Sequence, residues 1–437
     1  MATVTPDHLD RQLGMSALVD RERDLATQYA EHCGAKLQLD LTRGKPSPEQ
    51  AALSDGLEQI VCGNYVLDDG TDVRNYGGLI GIRDARQLGA ALLGVRNDEI
   101  VAGGNSSLTL MYQYLLSAWL YGPLGPETAW RLEPGPLKFL CVVPGYDRHF
   151  TITEDLGFTL INVRMGSDGP NMDQVEGLVS EDPLIKGIWC VPKHSNPTGQ
   201  VYSADVVERF AKLATLAGPN FRIMWDNAYA VHDLDDQAPV LTNLMDLCRR
   251  ENTVNSVVMF GSTSKITRAG AGIAFMAASP DNLSHFTKRL AVQTIGPDKL
   301  NQLRHVRFLK DLHGIRAHMR RHAALIRPKF ERVYQHLTDG FRGSDLVSWT
   351  TPRGGYFLSF AAPKGLATEI VRITGEAGVK LTPAGATFPY GHDPEDSNIR
   401  LAPTYPSLVE IDQAIPVFVT AVKLAMARQQ LALHEDQ

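Results

Sequence analysis

This sequence lacks the features by which several classes of protein are recognised. It has no run of about 18 apolar residues, and its first residues, MATVTPDHLDRQLG, contain no apolar segment, so we expect neither a membrane span nor a secretory signal. Its 5 cysteines are scattered and never spaced as CxxC, which favours a reduced, cytoplasmic protein without a cysteine metal site. A formal net charge of −6 without basic runs gives no electrostatic footprint for nucleic acid.

The chain does contain a long alternation of short apolar runs and helix-length amphipathic stretches. Strands separated by helices predict an α/β fold with a mostly parallel, doubly wound sheet. Seven runs between residues 98 and 280 are candidate strands: Glu99–Ala102, Lys138–Val143, Thr159–Arg164, Gly187–Val191, Phe221–Trp225, Val257–Phe260 and Gly272–Ala278.

With 437 residues, the chain is too long for one ordinary core, so we expect a large domain and a smaller one. Residues 298–337 are charged and helical in period, and the short runs that follow alternate with helices, as in an α+β domain. These runs are Leu346–Thr350, Gly355–Phe360 and Ile399–Ala402. We predict a large domain over residues 61–309 and a small one built from residues 1–60 and 310–437.

Side chains able to do chemistry follow five of the predicted strands. Because ligands bind at the carboxyl edge of open α/β sheets, these residues are expected to meet there. They are Ser106 and Ser107 at a helix start, Tyr146, Asn196 before a proline, Asp226 with Tyr229, and Ser262, Ser264 and Lys265. Each alone has an ordinary explanation: a helix cap, a packed ring, an Asn-Pro turn, an N-cap aspartate or a surface lysine.

Taken together, the five loops match what pyridoxal phosphate requires. Its phosphate needs N–H and hydroxyl donors near a helix start, and its aldehyde needs an amine such as that of Lys265 for a Schiff base. Its ring nitrogen needs a carboxylate, for which Asp226 is the candidate, so that the protonated ring serves as an electron sink. Asn196 and Tyr229 can donate to its phenolic oxygen.

At these residues the chain resembles the fold-type I pyridoxal-phosphate enzymes, close to the class I aminotransferases. It is most similar to the aspartate-aminotransferase-like branch, which is also related to the effector domains of MocR-type regulators. The resemblance runs from LTRGKPSP (41–48) to IRLAPTYP (399–406), and it is carried by KHSNPTG, WDNAY and STSK in this order.

The resemblance implies a role for each matching residue. Lys265 would hold the cofactor covalently and move the proton, Asp226 would pair with the ring nitrogen, and Tyr229 and Asn196 would bind the phenolic oxygen. Tyr146 would lie against the ring, and the four serines already named would surround the phosphate. Three further residues are implied: Tyr76 reaching a partner subunit's phosphate in a homodimer, Arg400 gripping the substrate α-carboxylate, and Gly44 approaching the substrate.

The sequence departs from the family pattern at two points. Many class I enzymes have a phosphate-binding arginine seven or eight residues after the lysine, where this chain has Gly272 and Ile273, and Arg268 is the nearest replacement. The family's partner-subunit arginine that recognises the side chain of a dicarboxylate substrate has no matching motif here. Its candidates are Arg43, Lys45, Arg148 and Lys299, each of which is better explained as a solvated surface residue.

The resemblance therefore implies a transaminase that works by a ping-pong mechanism between an L-amino acid, for which we expect aspartate or glutamate, and a 2-oxo acid such as 2-oxoglutarate. Alternatives are a β-lyase or decarboxylase that uses the same cofactor, a non-catalytic amino-acid sensor, and a nucleotide-dependent oxidoreductase. This chain lacks the glycine motif of the last class. Five histidines lie between residues 285 and 322, and their scatter favours packing or exposure over a metal site.

Overall fold

The computed structural model describes residues 14–435, which form twelve strands and thirteen α-helices. The strands are β1 Leu39–Asp40, β2 Ile100–Ala102, β3 Lys138–Val143, β4 Thr159–Arg164, β5 Ile185–Cys190, β6 Arg222–Asp226, β7 Val257–Ser262, β8 Ala274–Ala278, β9 Ser348–Trp349, β10 Leu358–Ala361, β11 Val379–Lys380 and β12 Asn398–Leu401. The helices are α1 Met15–Gly34, α2 Pro48–Ala52, α3 Arg83–Leu93, α4 Ser107–Tyr121, α5 Asp147–Asp155, α6 Met172–Glu181, α7 Ala204–Lys212, α8 Leu244–Glu251, α9 Pro280–Gln293, α10 Lys299–Leu309, α11 Leu312–Gly340, α12 Ala367–Glu376 and α13 Leu408–Glu435.

A central sheet of seven strands, within the described residues, has the order β2-β8-β7-β6-β5-β3-β4. Strand β8 is antiparallel to both of its neighbours, and the remaining pairs are parallel. The predicted α/β fold with a mostly parallel sheet is therefore confirmed. One strand end differs from the prediction in a way that matters for the site. Strand β6 was predicted to end at Trp225, but it continues to Asp226, which pairs with Phe260 of β7.

The central strands are apolar because helices cover both faces of the sheet. All residues of β5 and β6 are buried, including Trp189 and Trp225. Helix α4 packs on one face through Met111 and Leu115, which belong to the apolar stripe predicted from the sequence. The sheet is thus a rigid, dry support for the loops at its carboxyl edge.

A second hydrophobic core lies in the carboxyl-terminal part of the chain. A three-stranded antiparallel sheet of order β12-β10-β9 packs there with α12 and α13, and β1 pairs with β11 in parallel. Helix α1 packs on α13 through Leu18 and Leu25. Helix α1 and strand β1 therefore belong to this second core.

Helix α11 connects the two cores. Its first turns place Ile315 and Met319 in the core of the central sheet, and its later turns place Phe330 and Val333 in the second core. The predicted helical region 298–337 is interrupted at Lys310, whose φ is 65°. The exact domain bounds stay a prediction. Among the described residues, no helix combines the length and the apolar character needed to cross a bilayer.

Candidate active site

A cavity of about 230 Å³ opens at the carboxyl edge of the central sheet. It brings together ten residues that the sequence analysis singled out, namely Gly44, Ser106, Ser107, Tyr146, Asn196, Asp226, Tyr229, Ser262, Ser264 and Lys265. Asn105, Leu108, Val191, Ala228, Ala269 and Phe357 complete the lining. These side chains therefore lie where the rule for open α/β sheets predicts a binding site, at the carboxyl ends of the strands.

Asp226 lines the cavity at the end of β6, and one of its two carboxylate oxygens is hydrogen-bonded. Its Oδ2 lies 3.0 Å from Nε2 of His149, whose ring stacks on Trp189 with the centroids 4.2 Å apart. Its Oδ1 is buried and has no hydrogen-bond partner among the described residues. A buried carboxylate oxygen without a partner is costly, so this atom is suited to a donor that comes with a ligand.

His149 was missed by the sequence analysis. The signal was available, because His149 lies three residues after Tyr146 at the start of α5 and therefore shares one side of the helix with it. The two rings are in edge contact, with centroids 4.9 Å apart.

Lys265 lies in the turn that follows β7, with its Nζ 4.9 Å from the centroid of the Tyr229 ring. Burial lowers the pKa of Lys265, and the carboxylate of Asp226 acts in the opposite direction. Burial also raises the pKa of Tyr229 well above its usual value, so its hydroxyl stays protonated. The cavity thus pairs an amine that loses its proton more readily with a phenol that keeps it.

The loops after β2 and β7 are joined to each other beside the cavity. Ser264 Oγ donates to the main-chain oxygen of Asn105 over 3.2 Å, and Asn105 Nδ2 donates to Gly270 over 2.9 Å. Ser106 caps α4 by accepting from the N–H of Thr109 at 3.4 Å. The start of α4 therefore offers main-chain N–H groups and hydroxyls to an anion. Asn105 was not among the predicted site residues, although it belongs to the same GGNSS stretch.

Arg400, on β12, is buried next to the cavity without lining it. Its guanidinium lies over the ring of Phe357, with 4.9 Å between the guanidinium carbon and the ring centroid. One terminal nitrogen is 3.3 Å from Oδ1 of Asn196 and 3.4 Å from Oδ1 of Asp147. Two of its neighbours, Asn196 and Phe357, do line the cavity, so Arg400 lies directly behind the wall.

Gly44 makes a close approach to the same wall. A Cβ atom built on Gly44 would lie 2.0 Å from Cζ of Phe357, closer than any real contact. Residue 44 must therefore be glycine if the Phe357 ring is to stay where it covers Arg400.

Two predicted cofactor residues are not brought to the cavity. Tyr76 is 85% exposed on a loop of its own. Arg268 directs its guanidinium at two carboxylates, forming an ion pair with Glu58 and a 3.3 Å contact with Asp55. Their roles at the phosphate stay predictions, and for Arg268 those ion pairs would have to open.

None of the four candidates for recognising a second carboxylate lines the cavity. The surface interpretation is wrong for Lys299, which is buried and donates to the main-chain oxygens of Asn75 and Gly77. Arg43 is exposed beside Asp40, and Lys45 lies 4.0 Å above the ring of Tyr405; the fourth, Arg148, is exposed.

The five histidines between residues 285 and 322 do not behave alike. His305, His318 and His322 are buried and hydrogen-bonded, whereas His285 is half-buried and His313 is exposed. Within residues 14–435, no group of three or more potential metal ligands occurs.

The central sheet, the second core and the cavity between lysine and aspartate define an α/β enzyme of the fold-type I class. A family model described as aspartate amino-transferase matches residues 13–434 of the chain. The chain therefore belongs to the aspartate aminotransferase family and is a pyridoxal-phosphate-dependent transaminase.

Individual relatives agree with this family. The chain is 44% identical over 405 residues to an aspartate aminotransferase of Corynebacterium glutamicum, covering 92% of this chain and 93% of the relative. A solved structure of an aspartate transaminase from Corynebacterium glutamicum has a TM-score of 0.92 at 42% identity, covering 97% of this chain and 99% of that one. An alpha-aminoadipate aminotransferase from Thermus thermophilus, solved with N-(5'-phosphopyridoxyl)-L-leucine, shares the fold with a TM-score of 0.73 at 21% identity, covering 91% and 93%.

Proposed function

We propose that this aminotransferase moves an amino group between aspartate or glutamate and a 2-oxo acid such as 2-oxoglutarate, with Lys265 and Asp226 as its central pair. The observation that carries this proposal is the cavity itself, which both Lys265 and Asp226 line, and in which Oδ1 of Asp226 has no hydrogen-bond partner among the described residues. The choice of aspartate is supported by the name of the Corynebacterium glutamicum relative at 44% identity.

The residues around the cavity fit pyridoxal phosphate. The unpartnered Oδ1 of Asp226 suits the protonated ring nitrogen, and the hydroxyl of Tyr229 and the amide of Asn196 suit the phenolic oxygen. Ser106, Ser107, Ser262 and Ser264 suit the phosphate, and Tyr146 suits the ring face. When bound, the cofactor supplies an electron sink for the negative charge left after the substrate loses its α-proton.

Lys265 holds the cofactor and moves the proton. Its lowered pKa gives a larger fraction of neutral amine near neutral pH, which is the form that attacks a carbonyl and that can accept a proton at Nζ. Asp226, which is hydrogen-bonded to His149, would hold a proton on the ring nitrogen of the bound cofactor. Tyr229, kept protonated by burial, donates a hydrogen bond and supplies no base.

Arg400 binds the substrate α-carboxylate by two parallel hydrogen bonds, a task that suits the guanidinium fork. In the structure its charge is partly balanced by Asp147, at 3.4 Å. An incoming carboxylate takes over this neutralising role, so Asp147 acts as a counter-ion of the resting site. Gly44 leaves room for the substrate and for Phe357 together.

A homodimer with shared active sites is part of the proposal. Tyr76 is exposed, and its loop is fixed because Lys299 Nζ donates to the oxygens of Asn75 at 2.5 Å and Gly77 at 2.8 Å. A tyrosine held outward on a fixed loop can reach a partner subunit's phosphate. We also propose a cytoplasmic location, the domain bounds 61–309 and 1–60 with 310–437, and Arg268 as the phosphate arginine once its ion pairs open.

The test is Lys265→Ala. The purified wild type should show the visible absorption of a lysine-bound cofactor, and the washed variant should lack it. Activity with aspartate and 2-oxoglutarate should fall by at least about 10²–10⁴-fold, the usual contribution of a positioned acid–base group. Lys36→Ala, at an exposed position, is the control and should match the wild type.

An unchanged spectrum in the washed Lys265→Ala variant would refute the lysine assignment. The reaction type is tested separately by omitting the 2-oxo acid. Sustained product formation without an acceptor would identify a lyase or decarboxylase instead, and a panel of amino donors against 2-oxoglutarate fixes the substrate.

A further inference from the structure

The main-chain carbonyl of Lys265 is held by two side chains that the proposed mechanism does not use. Nε2 of His232 lies 3.3 Å from this oxygen, and the hydroxyl of Tyr356 lies 3.4 Å from it. Because a carbonyl only accepts, both groups must donate. Among residues 14–435, no main-chain N–H pairs with this oxygen. The two side chains therefore satisfy it alone.

His232 is held in one tautomer by this contact. Its Nε2 carries the hydrogen, and its Nδ1 is buried without a partner among the described residues. Burial, and then the charge of Lys265, lower the pKa of His232 well below its ordinary value, so the ring stays neutral. The ring is also fixed by edge contacts with Tyr229 and Tyr356, at centroid distances of 5.4 Å and 5.6 Å.

Gln50 determines the direction in which the Tyr356 hydroxyl donates its hydrogen bond. Gln50 Oε1 accepts from the N–H of Ser47 at 3.1 Å, which orients the amide so that its Nε2 points at Tyr356. That Nε2 donates to the Tyr356 hydroxyl over 3.0 Å. Since the hydroxyl is already an acceptor for Gln50, its one hydrogen is available for the carbonyl of Lys265.

A second buried histidine holds the next peptide. Nε2 of His318 lies 2.9 Å from the main-chain oxygen of Ile266. Lys265 and Ile266 lie in a turn, where no helix or strand ladder fixes the backbone. The turn that carries the lysine is thus held by side chains from the loop after β6, from the segment before β10 and from α11.

We propose, on the basis of the function proposed above, that His232 and Tyr356 are positioning residues: by holding the Lys265 carbonyl from two sides, they fix where its amine stands relative to Asp226. Neither residue lines the cavity, so neither contacts the reacting atoms. Their effect is on the geometry of the lysine and not on the binding of substrate.

The shared acceptor gives this proposal a distinctive signature. With one donor removed, the other still satisfies the carbonyl; with both removed, a buried carbonyl is left without any donor. Tyr356→Phe and His232→Met should each lower kcat by about twofold, and the double variant should lower it by at least about tenfold, more than the product of the two. KM for the amino donor should change by less than about twofold.

The spectroscopic measurement is the pH midpoint of the visible absorption of the lysine-bound cofactor. This midpoint reports the environment of the Lys265 nitrogen. In the double variant it should shift by about 0.5 pH unit or more, which corresponds to a roughly threefold change in the acid dissociation constant. Replacing His232 by Gln instead of Met keeps an N–H donor, so combining His232→Gln with Tyr356→Phe should return both the midpoint and kcat towards the wild-type values. Tyr334→Phe is the matched control, because this tyrosine also donates to a main-chain oxygen, that of Pro352 at 3.1 Å, away from the lysine.

The outcomes separate the two proposals. A wild type without the visible absorption contradicts the proposed function itself. A wild type with normal absorption, together with a double variant whose midpoint and kcat match those of Tyr334→Phe, overturns the positioning role alone. Multiplicative effects of the two single substitutions also overturn it, because they would show that the residues do not share an acceptor.

Discussion

His322 gives a prediction of how stability depends on pH. This residue is fully buried on α11, with its Nδ1 3.1 Å from Gln50 Nε2 and its Nε2 3.2 Å from His318 Nε2. Burial, followed by the neighbouring His318, lowers the pKa of His322 from 6.5 to about 4. Arg321 acts in the same direction, and the Ile266 carbonyl acts against it.

The sign follows from the lowered pKa. Between pH 6.5 and about 4 the unfolded chain binds a proton at this histidine and the folded chain does not, so the free energy of unfolding falls as the pH falls. The stabilisation is complete above pH 6.5 and is lost progressively down to the folded pKa. With these two values, the loss between pH 7 and pH 5 is about 2 kcal/mol.

The assay is denaturant unfolding of wild type and His322→Gln at pH 7, 6 and 5, monitored by tryptophan fluorescence. Other groups titrate over the same range, but the difference between the two proteins isolates His322. That difference should shrink by about 2 kcal/mol from pH 7 to pH 5. His313→Gln, at an exposed histidine, should follow the wild type at every pH. Parallel curves for wild type and His322→Gln would refute the reasoning, since they would show that the buried ring does not resist protonation.

Two further predictions concern the substrate side of the cavity. Arg400→Lys keeps the charge but loses the planar fork, so kcat/KM for amino acids should fall by about 10–100-fold while the cofactor absorption is unchanged; a loss under twofold would remove Arg400 from carboxylate binding. Gly44→Ala places a methyl group 2.0 Å from Cζ of Phe357, and overpacking of this kind costs about 1–3 kcal/mol. We expect kcat/KM to fall at least about fivefold and Phe357→Leu to restore part of it, and steady-state kinetics of the double variant checks both.

The central sheet was predictable because each of its strands is a short apolar run bounded by polar or glycine-rich residues. β3 and β4 begin and end where the sequence indicates. β5 begins earlier, at Ile185, because pairing with β3 extends the ladder past the apolar run. The antiparallel direction of β8 could not be predicted, since direction depends on how the chain returns after the lysine turn and not on the composition of the strand.

The loops that follow the strands were predictable for the same topological reason. Asp226 and Lys265 follow neighbouring strands β6 and β7, so the order of the sheet alone brings them together. The spacing from Tyr146 could have placed His149 near the cavity, but its partner Asp226, 77 residues away in sequence, could be identified only from the structure. His232 and Tyr356 were missed because their partner is a main-chain oxygen, which leaves no trace in the sequence pattern.

The charges around the cavity bear on how a second carboxylate is recognised. Among the described lining residues, Lys265 is the one cation, and Arg400 lies directly behind the wall. If Lys265 serves the cofactor and Arg400 the α-carboxylate, neither remains for the side chain of aspartate or glutamate. Arg43 and Arg148 are exposed, Lys45 lies over the ring of Tyr405, and Lys299 is hydrogen-bonded to the loop that carries Tyr76. A dicarboxylate substrate in this cavity would therefore need a cation from beyond its described lining residues, and the homodimer proposed above would supply one from the partner subunit.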